Sequence, residues 1–313
     1  VTHESRTVGT LGSSTFLGIY LTILLFPLLG LALPQQKTTK KRILLGVATL
    51  FLFTLIITLN RAALIGLGAG LFFFLFLYPK NLSFSSLFRK LALSLSATAI
   101  IAFGLLNIIP QPDFIQSIKP VEQMWSRLSL DNIISQEPRI PGWQAEFQAF
   151  LDRPLLGYGP YNASIGFDKY YTTEIVSATG WWSSAHNMFL DVLLDAGILG
   201  FFLFAGFLAT LLWKLQRIKI QLPEKVLLIH ATQAGLLGYI AVAFFSFNTF
   251  ATYLMFFFLI AYAFFLISQT PQTLPKEVKH TFFSFGKLSP VIGSFVILGL
   301  LLFIWTANIK PLT

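Results

Sequence analysis

Cysteine is absent from all 313 residues, so no disulfide framework, thiolate nucleophile or Cys-bearing metal site is available, and the redox compartment leaves no mark. Charge is almost as scarce: 11% of the residues are Asp, Glu, Lys or Arg against 55% hydrophobic, and the mean hydropathy is +0.72. So little charge does not suit a water-soluble chain of this length. Several signatures of chemistry are missing too. There is no D-x-D pair, no His cluster at metal spacing, no G-x-x-x-x-G-K and no G-x-S-x-G. Metal-dependent nucleotide-sugar transfer, ATP hydrolysis and serine hydrolysis thereby lack their usual parts. The chain starts at Val1 without an initiator Met or a cleavable signal pattern, and the expectation is that further helices precede it.

What is present is apolar sequence in long runs. Residues 14–33, 43–59, 62–78, 91–109, 196–213, 226–247, 249–268 and 290–309 reach or approach the roughly 20 residues that cross a hydrocarbon core of about 30 Å. Lipid offers backbone groups no outside partner, so these runs are expected as helices. The predicted fold is an all-α, polytopic transmembrane bundle of about eight spans. It forms a single membrane domain over residues 1–313, with one long extracytoplasmic loop over about 110–185. The basic residues decide the orientation. Lys37, Lys40, Lys41 and Arg42, then Lys80, Arg89 and Lys90, then Lys214, Arg217, Lys219 and Lys225, then Lys276, Lys279 and Lys287 fall in alternate loops, which places that side in the cytoplasm. The long loop, with five basic and eight acidic residues, falls on the other side. The net charge of +9 is thus spent on topology, and no basic stripe is left for a nucleic acid.

Polar residues able to do chemistry gather at that outer surface. Within the loop, Gly142 to Leu151 carries Trp143, Phe147, Phe150 and Leu151 at the spacing of an amphipathic helix, which Asp152-Arg153-Pro154 ends and the Gly157-Tyr158-Gly159-Pro160 turn follows. Such a loop serves either as a cap over the bundle or as the seat of chemistry. His186 precedes an apolar helix with Ser183 or Ser184 as the expected N-cap. By helical counting, Leu190, Leu193, Gly197, Gly200 and Phe204 share its face, while Asp191 and Asp195 lie opposite and favour the positive end of the helix dipole. The glycines of that face would admit a neighbouring helix. Arg61 lies where the chain must turn between two 17-residue apolar runs, either snorkelling to lipid phosphate or offering a bidentate grip on a substrate phosphate. Ala62, Gly66 and Gly70 predict close packing of the helix that follows it. His230 reads as structural. An outward set of Arg and His above a membrane suits a phosphorylated lipid substrate.

Five blocks in order carry a resemblance: R-T-V-G-T-L-G-S-S-T-F-L-G-I-Y-L, T-L-N-R-A-A-L, R-I-P-G-W, P-L-L-G-Y-G-P-Y-N and H-N-M-F-L-D-V-L-L-D-A-G-I-L-G. The chain resembles the O-antigen ligase and O-antigen polymerase superfamily of bacterial membrane glycosyltransferases, from about residue 6 to 213. The resemblance implies transfer of a glycan from an undecaprenyl-pyrophosphate-linked donor to an acceptor hydroxyl, on the outer face of the bacterial inner membrane, in building polysaccharide such as lipopolysaccharide. No metal and no other cofactor is implied. The acceptor class, whether lipid, glycan or protein, stays open, and membrane lipids are the other partners. Carried over residue by residue, the catalytic set would be Arg61, preceded by Asn60 where the family commonly has Ser, together with Arg139, four residues before Trp143, and His186. Arg153, Tyr158, Tyr161, Trp182 and Asn187 are the expected substrate-binding residues, with Trp181 and Trp182 also suited to anchoring at the interface. Three other readings stand beside this one, one of them a catalytically inactive membrane scaffold. A polymerase of the shape, elongation and division type would use an acidic residue such as Glu122, Glu146 or Asp152. A transporter or flippase would need ionisable residues at the bilayer midplane, where this chain has almost none.

Overall fold

The computed structural model describes residues 9–112, 119–131, 139–160, 162–173, 175–176, 184 and 186–270. A short 3-10 turn at Gly9–Leu11 leads into α1 (Ser14–Ala32), α2 (Thr38–Ile57), α3 (Arg61–Phe76) and α4 (Ser85–Ile108). The loop region supplies α5 (Lys119–Leu128), α6 (Arg139–Asp152) and α7 (Ala163–Tyr170), and the bundle resumes with α8 (Met188–Gln221), α9 (Val226–Ala243) and α10 (Phe250–Ser268). The protein is an all-α bundle, as expected. Among the described residues, five helices are long and apolar enough to cross a membrane: α1, α4, α8, α9 with the 3-10 turn before it, and α10. The two spans expected at 43–59 and 62–78 form as α2 and α3, which miss that description for different reasons. α2 takes in Lys40, Lys41 and Arg42 near its start, whereas α3 is only 16 residues long. The span expected at 290–309 lies outside the described residues.

Several helices run past their apolar limits and take basic residues with them: Lys40, Lys41 and Arg42 in α2, Arg89 and Lys90 in α4, Lys214, Arg217 and Lys219 in α8. Continuing the helix keeps each backbone group paired, while the long side chains reach for the polar boundary.

At the centre stands α9, buried along most of its length and packed by α1, α3, α8 and α10. Small residues permit this. Gly66 of α3 lies against Gly238 O and Val242 of α9, Gly30 of α1 against Ala231, and Gly18 of α1 against Ala63 of α3, contacts that leave no room for a Cβ. The close packing expected of Ala62, Gly66 and Gly70 is thus present, and all three are buried. α4 lies at the periphery, packed mainly on α3.

The element that positions the loop region is a break in α8. Gly197 has φ 66° and ψ −170°, which no helix contains, so the carbonyls before it and the amides after it lose their intrahelical partners. The segment after α6 fills the gap with its own backbone. Tyr158 N donates to Leu194 O (2.8 Å), Gly159 N to Asp195 O (2.8 Å) and Ile198 N to Pro154 O (2.8 Å), with a longer contact from Leu199 N to Leu155 O (3.5 Å). Gly157, at φ 66°, and Gly197 each lie so close to the opposite segment that a Cβ on either would collide with backbone. The helical count that put Gly197, Gly200 and Phe204 on one face with His186 fails here, because the break resets the helix phase. What Gly197 admits is this loop segment, not a neighbouring helix.

The amphipathic helix also turns out differently. α6 begins at Arg139, three residues before Gly142, because Pro141 falls in the first turn where an N–H is not needed. It ends at Asp152 as expected. Its fully buried residues are Gly142, Ala145, Glu146 and Ala149; Ala145 and Ala149 cluster with Phe167, Tyr171 and Leu194, and Phe150 packs against them. Phe147 and Leu151 stay exposed, as do Leu155 and Leu156. Small residues let α6 approach α7 and α8, leaving Phe147 and Leu151 outward, where an interfacial lipid environment would take them.

Gly197→Ala should therefore lower stability by about 2 kcal/mol or more, the cost of forcing a Cβ into a glycine-only backbone region. Gly46→Ala in α2, where nothing lies within 4 Å, should be neutral or stabilising by up to about 1 kcal/mol. Thermal unfolding of both variants in one detergent checks the contrast, and equal melting temperatures would rule out the docked break.

Candidate functional site

Arg61 is the first residue of α3, and its place is set by Asn60. The Asn60 Oδ1 caps the helix by accepting from Ala63 N (3.0 Å), while its Nδ2 donates to Thr15 Oγ1 (2.6 Å) at the start of α1. The same residue thus caps α3, as a Ser would, and ties it to α1. The approach is strained: Leu59 has φ 49°, in the left-handed region that a branched side chain seldom occupies.

Arg139 starts α6 and meets Arg61 in one cavity of about 320 Å³, lined by Arg61, Ala62, Ile65, Arg139, Ile140, Trp143 and Phe245. Two guanidinium-bearing residues from segments 78 residues apart in sequence thus share one largely apolar cavity, an arrangement whose chemistry suits an anion. Apolar surroundings strengthen their hold by lowering the local dielectric. Trp143 packs on Phe245 with ring centroids 6.1 Å apart, so both the Arg and the Trp of R-I-P-G-W line the cavity.

His186 stands at the start of α8 but not within it. The N-cap is Asn187, whose Oδ1 accepts from Phe189 N (3.0 Å) and Leu190 N (3.4 Å). This corrects the expected Ser183 or Ser184 cap. His186 itself has φ 56° and, like Leu59, is a left-handed residue two positions before the first residue of a helix. Ser184 instead braces the histidine, its Oγ accepting from His186 N (3.1 Å) and donating to Asp191 Oδ2 (3.2 Å). Asp191 thereby holds the histidine's turn through a serine hydroxyl, a link that helical counting missed because the residues before Met188 are not helical. The ring is edge-on to Phe247 (4.8 Å between centroids), in the turn joining α9 and α10, where Ser246 O accepts from Met188 N (3.1 Å). His186 Nδ1 lies 3.0 Å from Ser184 O. A carbonyl only accepts, so Nδ1 carries the proton in the neutral ring and Nε2 has the lone pair. Burial pushes the His186 pKa below its ordinary 6.5 and the positive charge of Arg139 pushes it further, against the opposing effect of the Ser184 carbonyl. The imidazole is therefore neutral at pH 7.

Arg61, Arg139 and His186 are thus gathered around the α9–α10 turn, whose Phe245 and Phe247 touch the cavity and the histidine ring. Neither phenylalanine stands out in the sequence; in an apolar turn nothing marks them except their neighbour Asn248, which donates to Tyr239 Oη (2.7 Å). The remaining expected residues lie elsewhere. Arg153 sits at the far end of α6, roughly 20 Å from Arg139 along a 14-residue helix. Its guanidinium covers the Tyr158 ring at 4.8 Å. Tyr158 Oη lies 3.3 Å from Asp152, whose carboxylate also takes Lys169 (2.8 Å) and Tyr170 (2.9 Å), contacts that hold its pKa down. These form a second polar cluster, separate from the two-arginine cavity. Asn187 is buried and occupied as a cap. Tyr161, Trp181 and Trp182 lie outside the described residues.

A model of the O-antigen ligase family matches residues 45–205, just over half of the chain. The chain belongs to that family. The matched segment holds all the expected site residues together with both sides of the α8 break, whereas the Phe245–Asn248 turn lies beyond it. The chain is also similar to a general O-oligosaccharyltransferase of Acinetobacter baylyi, 28% identical over 180 residues, which cover 56% of this chain and 30% of the relative. It thus spans less than a third of that protein's length. The resemblance read from the five blocks is borne out.

Capping and substrate contact make different demands on Asn187. Asn187→Ala should cost about 1 kcal/mol through the lost cap, whereas Asn187→Ser should regain most of it. Unfolding midpoints in detergent check this, and equal losses in both variants would remove the capping role.

Proposed function

We propose that the protein transfers a glycan from an undecaprenyl-pyrophosphate carrier to an acceptor hydroxyl, at the extracytoplasmic face of the bacterial inner membrane. The observation that carries the reading is the convergence of Arg61 and Arg139 in one apolar-walled cavity, with a neutral His186 beside it. The two guanidiniums bind the pyrophosphate. As the bond from the anomeric carbon to the phosphate oxygen breaks, negative charge grows on the leaving group, and cations already in place stabilise it without reorganisation. His186 Nε2 takes the proton of the acceptor hydroxyl while that oxygen bonds to the anomeric carbon. Atoms and charge balance: one C–O bond forms, one breaks, the proton rests on the imidazole and undecaprenyl pyrophosphate leaves.

The orientation is supported by the basic loops, which among the described residues lie at the opposite end from this site. Acceptor class is the finer question. The Acinetobacter relative is an O-oligosaccharyltransferase, and lipid, glycan and protein hydroxyls all fit the same chemistry. The second polar cluster at Arg153 and Tyr158 is suited to sugar units farther along the glycan, since a tyrosine face and an arginine fork both bind saccharides.

Reconstituted protein with undecaprenyl-pyrophosphate-linked oligosaccharide and a cell-envelope extract as acceptor source tests the reading. Arg61→Ala, Arg139→Ala and His186→Ala should each lower release of undecaprenyl pyrophosphate by about 100-fold or more, with folding retained. Unchanged release from all three would overturn the proposal, and selective loss in Glu146→Gln would favour the acidic-residue polymerase instead. The pH dependence follows from the lowered pKa. The base is active when neutral, so kcat/KM should fall as pH drops through a midpoint below 6.5. An acid limb centred above 6.5, or one that persists in His186→Ala, would assign it to another group.

A further inference from the structure

A second, larger cavity of about 840 Å³ lies at the opposite end of the bundle, between the α3–α4 loop and the junction of α8 with α9. Its lining combines three cations, Lys80, Arg89 and Lys219, with an apolar wall of Leu77, Trp213 and Ile220. These three apolar residues are exposed, so the cavity opens sideways toward lipid as well as toward the loops. Among the described residues, no acidic side chain lines it. Catalysis at the other face makes no use of this space.

Lys219 is held in place. Its Nζ lies 3.0 Å from His230 Nδ1 and 2.9 Å from Gln216 Oε1. His230 is fully buried, and its Nε2 lies 2.9 Å from Phe74 O, which fixes Nε2 as the protonated nitrogen and Nδ1 as an acceptor for the ammonium. Phe73 and Phe74 stack on the imidazole. A histidine read from sequence as structural thus has a particular job, which is to aim a lysine.

Gln233 gives an independent indication. It is 3% exposed and lines the cavity. Its Nε2 donates to Leu212 O (3.0 Å), which sets the amide's orientation, and its Oε1 is buried with no hydrogen-bond partner among the described residues. A buried acceptor without a donor carries a desolvation penalty that a hydroxyl would relieve. An ammonium would also satisfy it, but three cations repel one.

We propose that this cavity binds the headgroup of an anionic glycerophospholipid, its phosphate on Lys80, Arg89 and Lys219 and a headgroup hydroxyl on Gln233. The acyl chains then run along Trp213, Leu77 and Ile220. Basic pockets between helices on the cytoplasmic side suit such headgroups, because the anionic leaflet supplies them locally. A choline or ethanolamine headgroup brings a cation and no net charge, and is excluded by the same electrostatics.

Purified full-length chain in neutral detergent, titrated with dihexanoyl phosphatidylglycerol and followed by native mass spectrometry, tests the site. The expected result is saturable binding that weakens at least tenfold in Lys80→Ala/Arg89→Ala, with dihexanoyl phosphatidylcholine failing to compete. Lys80→Glu, at an exposed position, keeps the test open should the double variant misfold, and should weaken binding as well. Dihexanoyl phosphatidylmethanol has the same charge without the hydroxyls and should bind several-fold less tightly. Equal affinity for wild type and the charge variants, or for phosphatidylcholine and phosphatidylglycerol, overturns the site. Displacement by inorganic phosphate at matching concentration would make it a free-anion site and overturn the lipid assignment, and equal binding of phosphatidylmethanol would remove Gln233 from it.

Discussion

The candidate-site end of this molecule depends on one backbone exchange, the docking of residues 154–159 into the break of α8 at Gly197. A helix broken at membrane depth leaves amides and carbonyls that lipid cannot satisfy, each at a cost of several kcal/mol. The loop supplies three short hydrogen bonds to these groups, so neither partner is stable in that form without the other. Because the docked segment follows directly from α6, the exchange also anchors that helix, and Arg139 at its far end is placed by it. A backbone contact some distance from the arginines thus governs where one of them stands.

Much of this was legible in the sequence, though not its cause. The glycines of P-L-L-G-Y-G and D-A-G-I-L-G were visible as two separate blocks, one read as a permissive turn and the other as a helix-packing face. That they interlock follows only from the positive φ of Gly157 and Gly197, which no periodicity reveals. The same break defeated the helical count through His186. Arg61, Arg139 and His186 could be named because ionised and titratable residues are conspicuous in apolar sequence, and Arg61 and Arg139 do share a cavity. Phe245 and Phe247, which wall that site, could not be found among 34 phenylalanines. In α6 the apolar stripe divides, Trp143 and Phe150 packing while Phe147 and Leu151 stay exposed: apolar spacing shows amphipathicity, but does not tell where a neighbouring small-residue stripe will dock.

The two ends of the bundle use charge differently. At the basic end, cations sit in helix termini and loops, where they set topology, and three of them line the cavity beneath Gln233 and His230. At the other end cationic side chains are few, and they are held by caps, strained turns and aromatic walls. Left-handed Leu59 and His186 each stand shortly before a helix that carries the site. Strain of about 1–3 kcal/mol at each persists only where surrounding contacts enforce it. Here Asn60–Thr15 and Ser184–Asp191 provide that enforcement.

Helix direction adds a further contribution to the proposed transfer. α1, α3, α8 and α10 all begin at the site end, linked there by Asn60 to Thr15, Met188 N to Ser246 O and Asn248 to Met188, and α6 begins at Arg139 itself. Each N-terminus carries about half a positive elementary charge from its aligned peptide dipoles. The caps at Ser13, Asn60 and Asn187 occupy some of the amides without cancelling the field of the helix behind them. In the proposed transfer these dipoles would add to the two arginines in attracting a pyrophosphate and would oppose a proton on His186. The arrangement proposed to hold the donor would thus also favour the neutral form of the proposed base, and both depend on helices whose starts an alternating membrane topology brings to one face.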